Sequence, residues 1–153
     1  AEGMTLYPDY LRRTGYRLPA EAEWEYACRA GATTARYFGE TDSLLGEYAW
    51  YSKTSQDRWM LPVGSLKPND SGLFDMQGNV LEWCQDRGLL YRQDREWMGD
   101  KKQLGKLSNS QSRVLRGGSF DVNAPYVRSA NRNNLQPDTR SSNVGFRVAR
   151  TYS

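Results

Sequence analysis

Arg128, Arg132, Arg140 and Arg147 recur through residues 113–150, set among Asn, Ser, Asp, Tyr and Pro. Four guanidinium groups in one segment can clamp an anion. They can equally satisfy buried carbonyls, because five fixed donors suit loops that have few ladder partners. The balance favours the second role for all four. Cys28 and Cys84 are the only thiols, and the chain contains no histidine. A His-containing zinc site, a Ser-His-Asp triad and a Cys-His dyad are therefore excluded within this chain. Two cysteines outside any C-x-x-C pattern do not make a disulfide scaffold.

The arginines lie between two short apolar-alternating runs. One is Arg113-Val114-Leu115-Arg116 followed by Gly117-Gly118-Ser119-Phe120; the other is Asn143-Val144-Gly145-Phe146-Arg147-Val148-Ala149. Two strands bracketing a long polar segment are expected to present a surface rather than to build a core. Within that segment Phe120, Asp121, Asn123, Tyr126, Asn131, Asn133, Asn134, Thr139, Ser141 and Ser142 are the expected exposed contact set. Aromatic side chains offer rigid area and Asn, Ser and Asp adaptable hydrogen bonding, as in antibody loops. Arg128, Arg132, Arg140, Arg147 and Phe146 are expected to be structural.

The elements that must position this segment are few. Pro19 opens a helix running to Ala30, with acidic residues in its first turns, Arg29 near its end and Gly31 as the left-handed stop. Trp24, Ala27 and Cys28 fall on one face of it, so Cys28 reads as a small buried hydrophobe. Residues 7–13 are a second, shorter helix candidate ending before Gly15. Residues 48–51, 59–63, 80–83, 113–116 and 144–149 read as strands. The fold class is α+β, with two short helices, a small antiparallel sheet and many ordered loops.

Composition sets outer limits. The 153 residues fit one domain, 1–153, with enough burial for its own core. A net charge of +3 with scattered Lys and Arg gives no nucleic-acid footprint. No apolar run approaches the length of a membrane span and the chain as given shows no charged-then-apolar leader, which leaves open one removed or lying upstream; no membrane partner is expected, and a monomer is.

Four segments carry a resemblance. They are residues 16–27 (Tyr16-Arg17-Leu18-Pro19 through Trp24-Glu25-Tyr26-Ala27), residues 72–83 (Gly72-Leu73-Phe74-Asp75-Met76-Gln77-Gly78-Asn79 through Trp83), Arg116-Gly117-Gly118-Ser119-Phe120, and Gly145-Phe146-Arg147-Val148-Ala149. In this order they resemble the formylglycine-generating (sulfatase-modifying factor) family. The resemblance implies a C-type-lectin-like fold, here without the N-terminal part of a complete family domain. It also implies a copper-dependent oxidation of a substrate cysteine by two cysteines beyond the Arg-Gly-Gly-Ser-aromatic motif. This chain has Val122 and Val127 at those positions. Valine offers a metal no lone pair, whereas Cu(I) favours thiolates, so neither copper nor catalysis is expected. The family's calcium loop matches Gln77, Gly78, Val80 and Glu82, which makes structural Ca²⁺ the one cofactor the resemblance leaves open; the competing role for Glu82 is to accept hydrogen bonds from loop amides or an arginine. A second family calcium site is lost where Trp50 replaces an asparagine.

Recognition without catalysis is the resulting expectation, with a protein, peptide or glycan as ligand. The C-terminal segment is also similar to the hypervariable region of variable proteins from diversity-generating retroelements, which use this fold. No Lys, Glu, Met or Trp occurs after Leu107, as adenine-directed mutagenesis of asparagine codons would leave it, although Gln136 lies outside the reachable set. A binding or sensor domain attached to a bacterial signalling protein is the alternative, and a copper-dependent oxidase the second alternative.

Overall fold

The computed structural model describes residue 9 and residues 12–56, 59–88 and 111–151. In chain order the elements are β1 (Gly15–Arg17), α1 (Glu21–Arg29), α2 (Leu45–Tyr48), α3 (Ser52–Ser55), β2 (Leu81–Arg87), β3 (Arg113–Arg116), a single 3₁₀ turn (Ala124–Tyr126), β4 (Arg132–Leu135), β5 (Val144–Gly145) and β6 (Ala149–Thr151). The result is an α+β fold in which loops outweigh regular elements.

Helix α1 forms where the residue pattern places it. Glu23 reaches back to the Ala20 N–H (2.8 Å) and so satisfies one orphan donor of the first turn. Trp24 and Cys28 are buried on the inner face, with Ala27 packed beside them. The helix begins at Glu21, two residues later than Pro19 implies, and its left-handed cap is Ala30, with Gly31 following at positive φ.

The main sheet has the order β4-β3-β2-β5, and β1 pairs β6 antiparallel in a separate two-stranded sheet. β2–β3 and β3–β4 are antiparallel, while β5 runs parallel to β2 through Leu81 and Glu82. A register shift between Trp83 and Arg87 bends β2. Two apolar clusters share Phe38. One gathers Trp24, Cys28, Tyr37, Met76, Cys84 and Val114; the other gathers Leu45, Ala49, Tyr51 and Val127.

Three expected elements differ. Residues 48–51 are not a strand: Tyr48 closes α2, and Tyr51 precedes α3, because the aromatic rings here pack on each other instead of alternating across a sheet. Phe38 stacks on Tyr48 at 4.4 Å and Tyr37 meets both edge-on. Residues 59–63 form an irregular loop. Residues 144–149 are split between two sheets, since β5 ends at Gly145 and β6 begins at Ala149. Most of the helix expected over residues 7–13 lies outside the described residues; Asp9 accepts from Arg13 (3.0 Å) and its carbonyl from the Arg12 N–H.

Arg116 joins the halves of this loop-rich fold. It is 1% exposed. One terminal nitrogen donates to the carbonyls of Ala130 (3.0 Å) and Asn131 (2.5 Å), the other to Ser129 O (2.8 Å) and the Glu25 carboxylate (2.5 Å). Its guanidinium lies 5.3 Å from the Trp24 ring centroid. Removing it strands three carbonyls and leaves the Glu25 carboxylate to Arg29 alone, and Arg116→Leu is expected to destabilise the protein by about 3–5 kcal/mol. Arg116→Lys should recover only part of that, since one ammonium cannot span the same acceptors. Urea unfolding measures both.

Candidate functional site

The polar segment 117–143 leaves β3, makes the 3₁₀ turn, returns as β4 and crosses to β5. Its path is held by main-chain bonds to three other regions. Phe120 N–H donates to Asn79 O (2.8 Å), Ser52 N–H to Val122 O (3.0 Å), and Ser129 N–H to Ala35 O (2.9 Å). The turn that receives Phe120 depends on Gly78, which sits at φ +78° against Trp50; a Cβ there would collide with the Trp50 carbonyl.

Of the ten residues expected to face solvent, Phe120 does not. It is 4% exposed, tucked between the Asn79 turn and α3, where its carbonyl accepts from the Ser55 hydroxyl (2.5 Å). Asp121, Asn123, Tyr126, Asn133, Asn134, Ser141 and Ser142 are exposed, and Asn131 and Thr139 partly so. The exposed members divide by their bonds. Asp121 accepts from Ser119 (2.6 Å) and Asn143 (3.0 Å), and Ser141 donates to Asn143 (2.6 Å), so this chain of polar groups ties the start of the segment to its end. Asn123 accepts from Ser52 (3.0 Å). Among the described residues, the side chains of Tyr126 and Ser142 have no such tether.

The structural arginines are partly different ones from those expected. Arg132 forks onto Glu21 (2.6 and 2.7 Å) and Arg147 onto Glu82 (2.6 and 2.7 Å), as structural residues should. Arg128 and Arg140 are instead exposed, and no described carbonyl or carboxylate accepts from their side chains. Their work falls to Arg116 and to Arg36, which donates to the carbonyls of Val127 (3.0 Å), Ala124 (2.9 Å) and Glu40 (3.2 Å). Arg116 heads the Arg-Gly-Gly-Ser motif, a signal read for family and not for structure, whereas nothing in the sequence set Arg36 apart. Phe146 is also corrected: it is 68% exposed. Successive side chains of extended backbone point to opposite sides, so burying Arg147 on Glu82 sends Phe146 and Val148 outward. Both line an open groove of about 590 Å³ with Trp24, Ala27, Leu73 and Met76; no residue of 120–143 lines it.

The geometry gives Glu82 a role other than calcium ligation. One of its oxygens accepts from the Trp24 indole (2.6 Å) and Arg147, and the other from Arg147. A dication would have to displace that guanidinium. The Gln77 side chain turns inward and donates to Ser129 (3.0 Å), and the Gly78 N–H donates to Gly117 O. The Val80 side chain packs near Gly145, and its carbonyl, like those of Gln77 and Gly78, is the group the resemblance offers to a cation. Among the described residues no group of three or more His, Cys, Asp or Glu side chains could hold a metal ion.

The two valines stand where the family resemblance implies copper ligands. Val127 is fully buried against Leu45, Ala49 and Tyr51, and Val122 packs against the same cluster. Residues 3–152 match the sulfatase-modifying factor enzyme 1-like domain. The chain belongs to that family. It is 37% identical over 154 residues to the formylglycine-generating enzyme of Streptomyces coelicolor, covering 92% of this chain and 48% of that protein. Treponema denticola variable protein 1 superposes with a TM-score of 0.77 at 36% identity, covering 94% of this chain and 52% of that one. Serine/threonine-protein kinase pkn1 of Chlamydia caviae is 34% identical over 152 residues, which span 97% of this chain and 23% of the kinase. The chain thus spans about half the length of the first two relatives. As a family member it has the Asn79 turn and the Arg-Gly-Gly-Ser corner, and beyond that corner Val122 and Val127 join apolar packing.

Neither remaining thiol is placed to substitute. Burial pushes the Cys28 thiol up to about 11, opposed by a hydrogen bond to Ser129, and burial likewise raises Cys84. A thiolate nucleophile needs the reverse shift. A proton held more tightly in the folded state stabilises it fully below the unfolded value of about 9 and is lost as pH rises toward 11. Unfolding midpoints in urea should therefore fall between those values, and native protein near neutral pH should leave Cys28 unlabelled by iodoacetamide. For the Asn79 turn, a chelator at fixed ionic strength is expected to leave the melting temperature unchanged, whereas Glu82→Gln lowers it by weakening the Arg147 pair.

Proposed function

We propose that this chain is a non-catalytic recognition domain whose binding surface is the polar loop region 120–143. The observation that carries this reading is the packing of Val122 and Val127. The positions from which the family's enzymes hold copper contribute here to the cluster of Leu45, Ala49 and Tyr51, and a hydrocarbon wall supplies no ligand. Copper does not fit these residues, and no oxidation step runs through them. What the loop offers to solvent is adaptable: an exposed Tyr126 with Asn, Ser, Asp and two arginines, Arg128 and Arg140, unengaged among the described residues.

The likeness to Treponema denticola variable protein 1 supports the version in which this surface is diversified. Similarity to a kinase over nearly the whole of this chain supports the version in which it is a sensor module of a signalling protein. Both versions share the biochemical reading, and a reverse transcriptase with a template repeat beside the gene separates them.

Two measurements test the reading. Domain supplied with copper, oxygen and a sulfatase-type cysteine peptide should yield no aldehyde by mass spectrometry; aldehyde that disappears on replacing Cys28 or Cys84 would establish an oxidase instead. In thermal unfolding, Tyr126→Ala and Ser142→Arg should change stability by no more than about 0.5 kcal/mol. Asp121→Ala, which cuts the tie between Ser119 and Asn143, should cost about 0.5–1.5 kcal/mol. If all three prove equally destabilising, the loop is packed structure and not a display surface.

A further inference from the structure

The chain between β5 and β6 carries an open edge. β5 ends at Gly145 and β6 begins at Ala149, and Phe146, Arg147 and Val148 join them as extended backbone without a turn. Among the described residues no hydrogen bond engages the main-chain N–H or carbonyl groups of these three. Arg147 bonds through its side chain, which forks onto Glu82 (2.6 and 2.7 Å). Consecutive main-chain groups left in this way are what an unpaired strand edge presents.

The open groove of about 590 Å³ runs along this edge, for residues 146 to 150 line it one after another. Side chains of extended backbone alternate between faces, so five consecutive residues border one groove only where the backbone itself forms a wall. Trp24 and Ala27 of α1, with Leu73 and Met76, add hydrocarbon to the lining, and Phe146 and Val148 are its exposed apolar members. The charged residues of the lining are engaged within the protein. Arg17 forks onto Glu23 (2.6 and 2.7 Å), Arg147 onto Glu82, and Arg150 lies 5.7 Å from the Tyr16 ring centroid. What the groove offers a ligand is therefore hydrocarbon and main chain, not charge.

We infer that this edge and groove are a second binding site, separate from the polar loop, and that the site takes an extended polypeptide strand from outside residues 1–153, with apolar side chains at alternate positions. Two features together select that occupant. The free N–H and carbonyl groups of residues 146–148 call for main-chain partners, and the groove beside them calls for hydrocarbon. An acyl chain would fill the groove and leave the edge to water. A sugar would meet the edge and leave the hydrocarbon bare. An added strand serves both, pairing along the edge while every second side chain enters the groove. A second copy meeting this one through the same edge would bring two concavities together and fill neither. No residue of 120–143 lines the groove, so occupation of this site does not depend on the polar loop.

Random linear peptides displayed on phage and panned on the wild-type protein supply the probe. Enriched sequences are expected to alternate apolar with polar residues. A synthetic copy should bind Phe146→Ser at least about tenfold more weakly. Phe146 is exposed, so that variant should melt with the wild type. N-methylation of the peptide then tests the main-chain bonds without touching the protein. Methyl groups on alternate nitrogens should cost about tenfold or more in one register and little in the other, because only every second N–H of an added strand faces the edge. Equal effects in the two registers overturn strand addition. Binding that survives Phe146→Ser but is lost with Tyr126→Ala combined with Ser142→Arg puts the peptides on the polar loop and overturns the groove as a site. A library without binders overturns it too, and a dimer in sedimentation velocity that Phe146→Ser dissolves makes a second copy the occupant instead.

Discussion

Buried loop carbonyls are the constraint on which this molecule depends. With two small sheets and one helix longer than four residues, the described part of the chain leaves much of its backbone without a ladder, and each buried acceptor still needs a donor. Arg116 meets that need where the loops converge, serving three consecutive carbonyls, Ser129, Ala130 and Asn131, while its charge is balanced by Glu25 and its face lies over Trp24. Arg36 does the same for the 3₁₀ turn. Glu82 anchors the other side, holding Trp24 and Arg147 at once. Helix α1, the Asn79 turn and the C-terminal strands are thereby one connected unit.

Much of this was legible in the sequence. The apolar stripe of Trp24, Ala27 and Cys28 announces α1, and the runs at Arg113–Arg116 and after Val80 announce the central strand pair, because period and flanking glycines agree there. The exposed character of most of segment 120–143 was legible too, since its composition leaves little to bury. Other features were not, for identifiable reasons. Tyr48 and Tyr51 belong to aromatic clusters whose partners, Phe38 and Val127, are distant in sequence, so local alternation misled. Arginines at 36, 116, 128 and 140 are chemically identical as letters, and only tertiary placement decides which turn inward. Phe146 reads as core until Glu82 is seen to draw Arg147 in, which sets the parity of its neighbours.

The relation to catalytic relatives is likewise a matter of placement. Beyond the Arg-Gly-Gly-Ser corner this chain continues its second apolar cluster through Val122 and Val127. The corner survives because it does something else as well. It delivers Ser119 to Asp121 and Phe120 to Asn79, which positions the loop whether or not chemistry follows.

The route of the polar segment is written largely in main-chain bonds: Phe120 to Asn79, Val122 to Ser52, Tyr126 to Asn123, Ser129 to Ala35, Asn131 to Arg128 and Thr139 to Gln136. Nineteen of the twenty amino acids carry the N–H that such bonds require, and proline alone lacks it. The loop is accordingly a writable surface. Its letters can be exchanged at untethered positions while the line on which they stand keeps its course, and only proline at a donor position erases the line itself.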